Sequence, residues 1–217
     1  MNESNTLIVN EIFYSIQGES TLAGLPCVFV RLTGCDLRCV WCDTAYAFNE
    51  GSEMPLDLIL DKVRNYNCNL VEITGGEPLL QANTPLLLKH LCNSGYKVMI
   101  ETGGHHDIGK IDPRVKRIVD IKCPGSKMEQ RNRWENIHLL NANDEVKFVI
   151  SDHNDYEWSK NIIEKYELTK KCTVLMAPVF GILGNRTLAE WILQDKLNVR
   201  FQLQLHKYIW EPTVRGV

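Results

Sequence analysis

Apolar residues in this chain fall into short β-rich runs separated by longer stretches of helical period. The strand candidates are CVFVRLT (27–33), NLVEIT (69–74), KVMIET (97–102), KRIVDIK (116–122), EVKFVIS (145–151), CTVLMA (172–177) and VRFQLQL (199–205). Their Val, Ile and Phe content suits a pleated, buried surface. Helical patterns lie between them, near residues 56–66, 84–94, 155–166 and 187–194. The second has Asn83 or Thr84 as cap and Pro85 in its first turn, and it stops at Ser94-Gly95. Strand–helix alternation predicts a parallel sheet with right-handed crossovers. Six or seven strands in 217 residues fall short of a closed eight-stranded barrel. The expected fold is therefore α/β, a partial, open (β/α) barrel of about six parallel strands, forming a single domain over residues 1–217.

In such folds chemistry gathers where the strands end. The runs here end in TGC, TGGEP, ETGG, KCPGS, SD, APVFG and LHK, all rich in Gly and polar groups. Composition narrows the function classes. Hydrophobic residues at 44% and charged residues at 24% are the balance of a globular chain, and argue against long disordered tails. A net charge of −3 gives no polyanion-binding surface, so nucleic acid is not an expected partner. No run approaches the ~20 apolar residues of a membrane helix. MNESNTLIVNEIF lacks the basic start and apolar run of a secretory signal, so a cytoplasmic location is expected. Thiols there are reduced.

The eight cysteines divide unevenly. Cys27, Cys68, Cys92, Cys123 and Cys172 are scattered, and the first three and the last read as small core side chains. Cys35, Cys39 and Cys42 lie within eight residues, after the first strand run. Three converging thiolates repel unless a cation neutralises them, which points to metal. A closed zinc site needs a fourth ligand, and the nearest candidates, His105 and His106, are far along the chain. Iron–sulphur clusters usually take four cysteines. Three leave one iron of a 4Fe–4S cube open to a small molecule. A zinc-stabilised binding module is the alternative from a different class.

Other strand-end residues suit a ligand. Gly75 and Gly76 let backbone approach closely, and Glu77 offers an acceptor to an ammonium, although TGGEP alone also reads as a turn. Arg31 alternates with Val28, Val30 and Leu32 and shares a face with Phe29 and Thr33. A barrel strand is buried on both faces, so Arg31 needs an anion, either a substrate carboxylate or an internal acid such as Glu19. Gln17-Gly18-Glu19 offers a hydrogen-bonding edge or a polar turn, and His206 a donor or a structural residue.

CX3CX2C with Trp41 before the last Cys, followed by TGGEP (74–78), resembles the radical S-adenosylmethionine superfamily. The resemblance implies that the open iron chelates the amino and carboxylate groups of S-adenosylmethionine. Reductive cleavage then gives methionine and a 5′-deoxyadenosyl radical. EIFYSIQGES (11–20), GLPCVFVRLTGCDLRCVWCDT (24–44), ETGG, DIKCPGS, KFVIS, APVFG and QLHKYIW together resemble the 7-carboxy-7-deazaguanine synthase family over nearly the whole chain.

That family membership implies a carbon–nitrogen lyase of queuosine (deazapurine) biosynthesis. It converts 6-carboxy-5,6,7,8-tetrahydropterin to 7-carboxy-7-deazaguanine with loss of ammonia, regenerates S-adenosylmethionine and is assisted by Mg²⁺. By resemblance, Cys35, Cys39 and Cys42 hold the 4Fe–4S cluster. Trp41, Asp43, Gly76, Glu77, Glu101, Lys122 and Ser126 meet S-adenosylmethionine, with Glu101 on the ribose. Ile16, Gln17, Gly18, Glu19, Arg31, Thr74 and His206 meet the substrate. Thr44 is the Mg²⁺ ligand, although its hydroxyl also suits a cap. A small electron donor such as flavodoxin or ferredoxin and a homodimer are expected. A glycyl-radical-enzyme activase shares the cysteine spacing, but its protein-loop substrate predicts a wide barrel mouth without a buried Arg for a small carboxylate.

Overall fold

A computed structural model describes residues 5–217, so the first four residues of the N-terminal stretch lie outside the described residues. Nine strands form one sheet: β1 (Thr6–Ile16), β2 (Pro26–Leu32), β3 (Ser52–Pro55), β4 (Leu70–Gly75), β5 (Lys97–Thr102), β6 (Lys116–Asp120), β7 (Glu145–Ile150), β8 (Thr173–Pro178) and β9 (Arg200–Phe201). Their order is β3-β1-β2-β4-β5-β6-β7-β8-β9. From β2 onward every neighbouring pair is parallel, while β1 runs antiparallel to β2 and β3. The order begins at β3 and ends at β9, so the sheet is an open barrel.

Helices α1 (Leu56–Arg64), α2 (Thr84–Asn93), α3 (His153–Lys165), α4 (Leu168–Lys171), α5 (Asn185–Gln194) and α6 (His206–Ile209) complete the elements. Gly95 stops α2 with φ +87°, the left-handed conformation that glycine adopts without penalty. Asn83 holds the cap position, but its side-chain amide donates to Thr6 O at 3.0 Å and so ties α2 to β1. α3 begins earlier than its apolar pattern, because Asp152 accepts from Asp155 N at 2.9 Å. Between β5 and β7 the connections are 3-10 turns, as the Gly- and Pro-rich segments there suggest.

The strand faces set up the site. Val28, Val30, Leu32, Val71, Ile73, Val98 and Ile100 pack outward with Ile59, Val63, Leu87 and Leu91 of α1 and α2. The inward face starts apolar, with Phe13, Cys27, Phe29, Leu70, Met99 and Ile118 as a floor. One or two steps further along the same strands it turns polar, at Arg31, Glu72, Thr74, Glu101, Asp120 and Lys147. Cys27 and Cys172 are buried; Cys68 and Cys92 are only partly so, at the periphery of the core.

Two segments differ from the expected pattern. β1 carries a register shift between Val9 and Glu11, which breaks its period of two. Leu7 and Val9 join the outer core, while Phe13 joins the inner floor. The run 199–205 pairs for only two residues. Gln202 N still donates to Met176 O of β8 at 2.9 Å, and the side-chain amides reach the carboxylate of Glu19, with Gln202 Nε2 at 3.2 Å and Gln204 Nε2 at 3.1 Å.

Candidate active site

The loop after β2 presents Cys35, Cys39 and Cys42, two half-buried and the third exposed. Protein contacts hold it. Gly34 N donates to Ala47 O at 2.8 Å, and Glu77 N donates to Gly34 O at 2.7 Å. Leu37 is buried, and Arg38 donates to Cys35 O and Leu37 O while lying 4.2 Å over the Phe48 ring. A Cβ on Gly76 would stand 2.8 Å from Cys35 Cβ and overlap Gly34 O. Gly76 thus admits the cluster loop as well as any ligand. Gly75 likewise packs on Leu32.

The donor set fits an iron–sulphur cluster. Among the described residues, the group of His, Cys, Asp or Glu ligand atoms lying within 4.8 Å of one another is Asp36, His105 and His106, not the three cysteines. Three thiolates fall one ligand short of a closed zinc site, whereas on a 4Fe–4S cube they leave one iron open. Burial pushes the Cys35 and Cys39 thiols up, and Lys122 partly counters this. A bound cation supplies what the loop lacks. Near it, two buried polar atoms, His105 Nδ1 and Asp120 Oδ1, have no hydrogen-bond partner among the described residues.

The residues expected to meet S-adenosylmethionine surround this loop. Glu77 is fully buried and accepts from Leu79 N at 2.9 Å, Thr102 Oγ1 at 2.8 Å and Gly103 N at 2.8 Å. Ser126 O accepts from Val40 N at 3.3 Å, which brings the β6 loop against the cluster loop. The Ser126 hydroxyl itself donates to Cys123 O at 2.6 Å. Gly125 abuts Trp41, where a Cβ would lie 3.1 Å from Cη2. Lys122 pairs with Asp120 at 2.8 Å; burial opposes its charge, but Asp120 and Cys39 outweigh burial and raise its pKa. Asp43 pairs with Lys207 at 2.5 Å, and this ion pair outweighs burial to hold the carboxyl well below its usual range. Thr44 sits at a cap position without capping, and donates instead to Asp43 Oδ1 at 2.8 Å. Cys123 is buried on Ser159 and is not part of the triad.

Inside the barrel, Lys147 is the hub that sequence reasoning missed. It is 4% exposed and pairs with Glu19 at 2.9 Å, with Glu101, and with Asp120 at 4.0 Å. Burial opposes its charge, but Glu101 and then Glu19 raise its pKa well above normal. For Glu19 the same contact outweighs burial and lowers the carboxyl, whereas burial and the Glu19 charge leave Glu101 raised. Glu101, expected to meet the ribose, is thus engaged by Lys147. Gln17 Nε2 donates to Glu72, and Gln17 Oε1 accepts from Glu19 N at 2.7 Å. Gly18 O accepts from Leu205 N at 2.9 Å, and a Cβ on Gly18 would overlap the His206 ring. His206 has its pKa lowered by burial, against the pull of Glu19.

Arg31 faces inward beside Thr74, its register partner on β4. The internal acid it meets is Glu11, at 2.7 Å from Nε, and not Glu19, which Lys147 holds. Its guanidinium also lies 5.7 Å over Phe13 and 5.8 Å over Tyr46. At 16% side-chain exposure Arg31 is less buried than a fully enclosed barrel strand implies. Ile16 ends β1 directly before Gln17. It lines a cavity of about 180 Å³ with Ser15, Pro26, Trp210 and Val217, under the C-terminal tail.

Glu72 carries a testable consequence. It is 2% exposed, and burial, then the charges of Glu101 and Glu19, raise its pKa well above that of a free carboxyl. Folding therefore takes up a proton there, so stability falls as pH rises from the unfolded pKa to the folded one. Glu72→Gln is expected to keep the Gln17 contact and flatten that slope, in urea unfolding between about pH 5 and pH 8. An unchanged slope would show that Glu72 is not the group taking up the proton.

A family model described as the radical SAM superfamily matches residues 29–182. Proteins named 7-carboxy-7-deazaguanine synthase match the whole chain. That of Chlorobaculum tepidum is 48% identical and covered end to end on both sides. That of Koribacter versatilis is 43% identical over 96% of this chain and 99% of its own. Among solved structures, the crystal structure of QueE from Escherichia coli superposes with a TM-score of 0.77, covering 93% of this chain and 95% of that one at 23% identity, a likeness of fold. Open barrel, cysteine loop and family match define a radical S-adenosylmethionine protein. Within that class, the chain belongs to the family of 7-carboxy-7-deazaguanine synthases.

Proposed function

We infer that this chain is a carbon–nitrogen lyase converting 6-carboxy-5,6,7,8-tetrahydropterin to 7-carboxy-7-deazaguanine, with loss of ammonia, in the making of queuosine-type deazapurines. The observation that carries this reading is a convergence. Gln17–Glu19 and His206, at opposite ends of the chain, meet over the polar interior that the cysteine loop rims. Lys207 joins the two by pairing with Asp43 next to Cys42. A barrel interior lined by Gln17, Glu19, Glu101, Asp120 and Lys147 suits a small polar heterocycle. It does not suit the protein loop of an activase, and three cysteines fall one ligand short of a closed zinc module.

A 4Fe–4S cluster on Cys35, Cys39 and Cys42, with S-adenosylmethionine bound, supplies the hydrogen-abstracting radical. The chain's own residues orient and shield. Glu77, fixed by three donors, presents a carboxylate to the methionine ammonium. Trp41 and the Lys122–Ser126 loop flank the adenosyl side. Gln17 and Glu19 pair with the pterin edge, and neutral His206 offers a hydrogen bond to the carboxylate. Arg31 leaves its terminal nitrogens without a hydrogen bond among the described residues, which suits a substrate carboxylate beside Thr74. The Thr44 hydroxyl, free of capping, is one hard oxygen for Mg²⁺, with substrate and water as the others. No helix of the described residues is long and apolar enough to cross a membrane. We place the enzyme in the cytoplasm as a homodimer, reduced by a flavodoxin or ferredoxin.

The reading is tested by the rate of S-adenosylmethionine cleavage under dithionite. The carboxylated tetrahydropterin is expected to change that rate, and unrelated peptides are not; indifference to the pterin would contradict it. Arg31→Ala is expected to weaken pterin binding by about 10- to 100-fold, the worth of a charge-assisted contact, with little effect on cofactor cleavage. Equal losses in both would refute the carboxylate role.

A further inference from the structure

Asp36 stands inside the cysteine loop, one residue after Cys35. Its Oδ1 lies 2.6 Å from His105 Nε2 and 3.1 Å from His106 Nε2, while Arg131 Nη2 is 3.0 Å from Oδ2. The three side chains come from the β5 and β6 loops, so a carboxylate of the cysteine loop is held from two other strand ends. Asp36, His105 and His106 have the composition of a metal site, but the guanidinium on the second oxygen favours a tether over a bound cation.

His105 reaches further than the tether. Its side chain is 2% exposed, and its Nδ1 is buried without a hydrogen-bond partner among the described residues. That atom lies 3.6 Å from Oε2 of Glu77. Gly103 makes the approach feasible, since a Cβ there would stand 3.0 Å from His105 Nδ1 and 3.2 Å from Glu77 Oε2. One imidazole thus stands between a carboxylate of the cysteine loop and the carboxylate assigned to the cofactor's ammonium. Its unbonded nitrogen is the atom beside Glu77.

We propose that His105 is a positioning residue for S-adenosylmethionine, linking the cluster loop through Asp36 to Glu77 so that the iron side and the ammonium side of the cofactor site move as one body. This rests on the cofactor reading above. Loss of the link leaves three cysteines in place but no longer fixes Glu77 relative to them. The cost therefore falls on cofactor affinity, not on iron content.

The test uses reconstituted full-length protein, with iron content and the electron paramagnetic resonance signal of the reduced cluster titrated with S-adenosylmethionine. His105→Ala is expected to keep the wild-type iron content and to weaken cofactor binding about 10- to 100-fold, the loss of a hydrogen bond to a charged group. His105→Gln places a donor where Nε2 was, and His105→Asn where Nδ1 was. Each is expected to recover part of the affinity, because each restores one arm of the link. Should His105→Ala prove unstable, the Gln and Asn variants carry the same comparison against wild type. Wild-type affinity in the tested variants, or loss of iron in proportion to loss of affinity, overturns the proposal. Wild-type protein with full iron whose signal ignores S-adenosylmethionine overturns the cofactor reading, and the proposal with it.

Discussion

Cys39→Ala is expected to bring the iron of anaerobically prepared protein to background and to end S-adenosylmethionine cleavage. Structural metal sites hold their ions with roughly 10–16 kcal/mol, so losing one of three thiolates removes a few kcal/mol, and each 1.4 kcal/mol is about tenfold in occupancy. A fall of about a hundredfold or more follows for Cys35→Ala and Cys42→Ala as well. The fold is expected to survive, because Gly34, Leu37, Arg38 and Glu77 pin the loop through protein contacts. Iron analysis and far-ultraviolet circular dichroism against iron-free wild type check both halves. A variant that keeps full iron would remove the triad from the centre of the site.

The second large effect is expected from Lys147→Met, which keeps bulk but removes a buried ammonium from Glu19, Glu101 and Asp120. Breaking a buried ion pair on one side costs about 3–5 kcal/mol, because Glu19 and Glu101 lose their cation while Asp120 keeps Lys122. The cost depends on pH. Glu101 already has its pKa raised, and without Lys147 the pull that lowers Glu19 is gone. Carboxyls whose folded pKa exceeds the unfolded one destabilise fully above the folded value, and the penalty fades as pH falls through it. Urea unfolding is expected to show the full loss near about pH 8 and a smaller one near about pH 5. A loss independent of pH would mean that packing, not charge, is what Lys147 supplies. Activity is expected to fall too, since Glu19 and Glu101 lose their common anchor.

How far the sequence reveals this site depends on the range over which each feature is encoded. The CX3CX2C loop and TGGEP are local, and their partners arrive one strand apart, so both were legible. The inward face of Arg31 followed from alternation within β2, and β2 has no bulge. Its partner Glu11 was not legible, because β1 shifts register between Val9 and Glu11 and so hides which of its residues face inward. Lys147 shows the same limit. Alternation in EVKFVIS puts Glu145 and Lys147 on one face, but the three acids around Lys147 come from positions 19, 101 and 120. Only the closing of the sheet brings them together. His105 and His106, distant from the cysteines in sequence, stand at the cysteine loop in space for the same reason. The β9 run is shorter than its pattern, because the chain leaves the ladder after Gln202, whose side-chain amide bonds to Glu19 together with that of Gln204.

The cysteine loop, the Glu77 cradle and the Lys147 hub acquire a single meaning only if the barrel interior receives a carboxylated pterin. The direct measurement is an anaerobic incubation of iron-reconstituted protein with reductant, S-adenosylmethionine, Mg²⁺ and 6-carboxy-5,6,7,8-tetrahydropterin, followed by mass spectrometry. The expected result is 7-carboxy-7-deazaguanine with one ammonia released per product. An intact cluster that cleaves S-adenosylmethionine yet leaves the pterin unchanged would contradict the account.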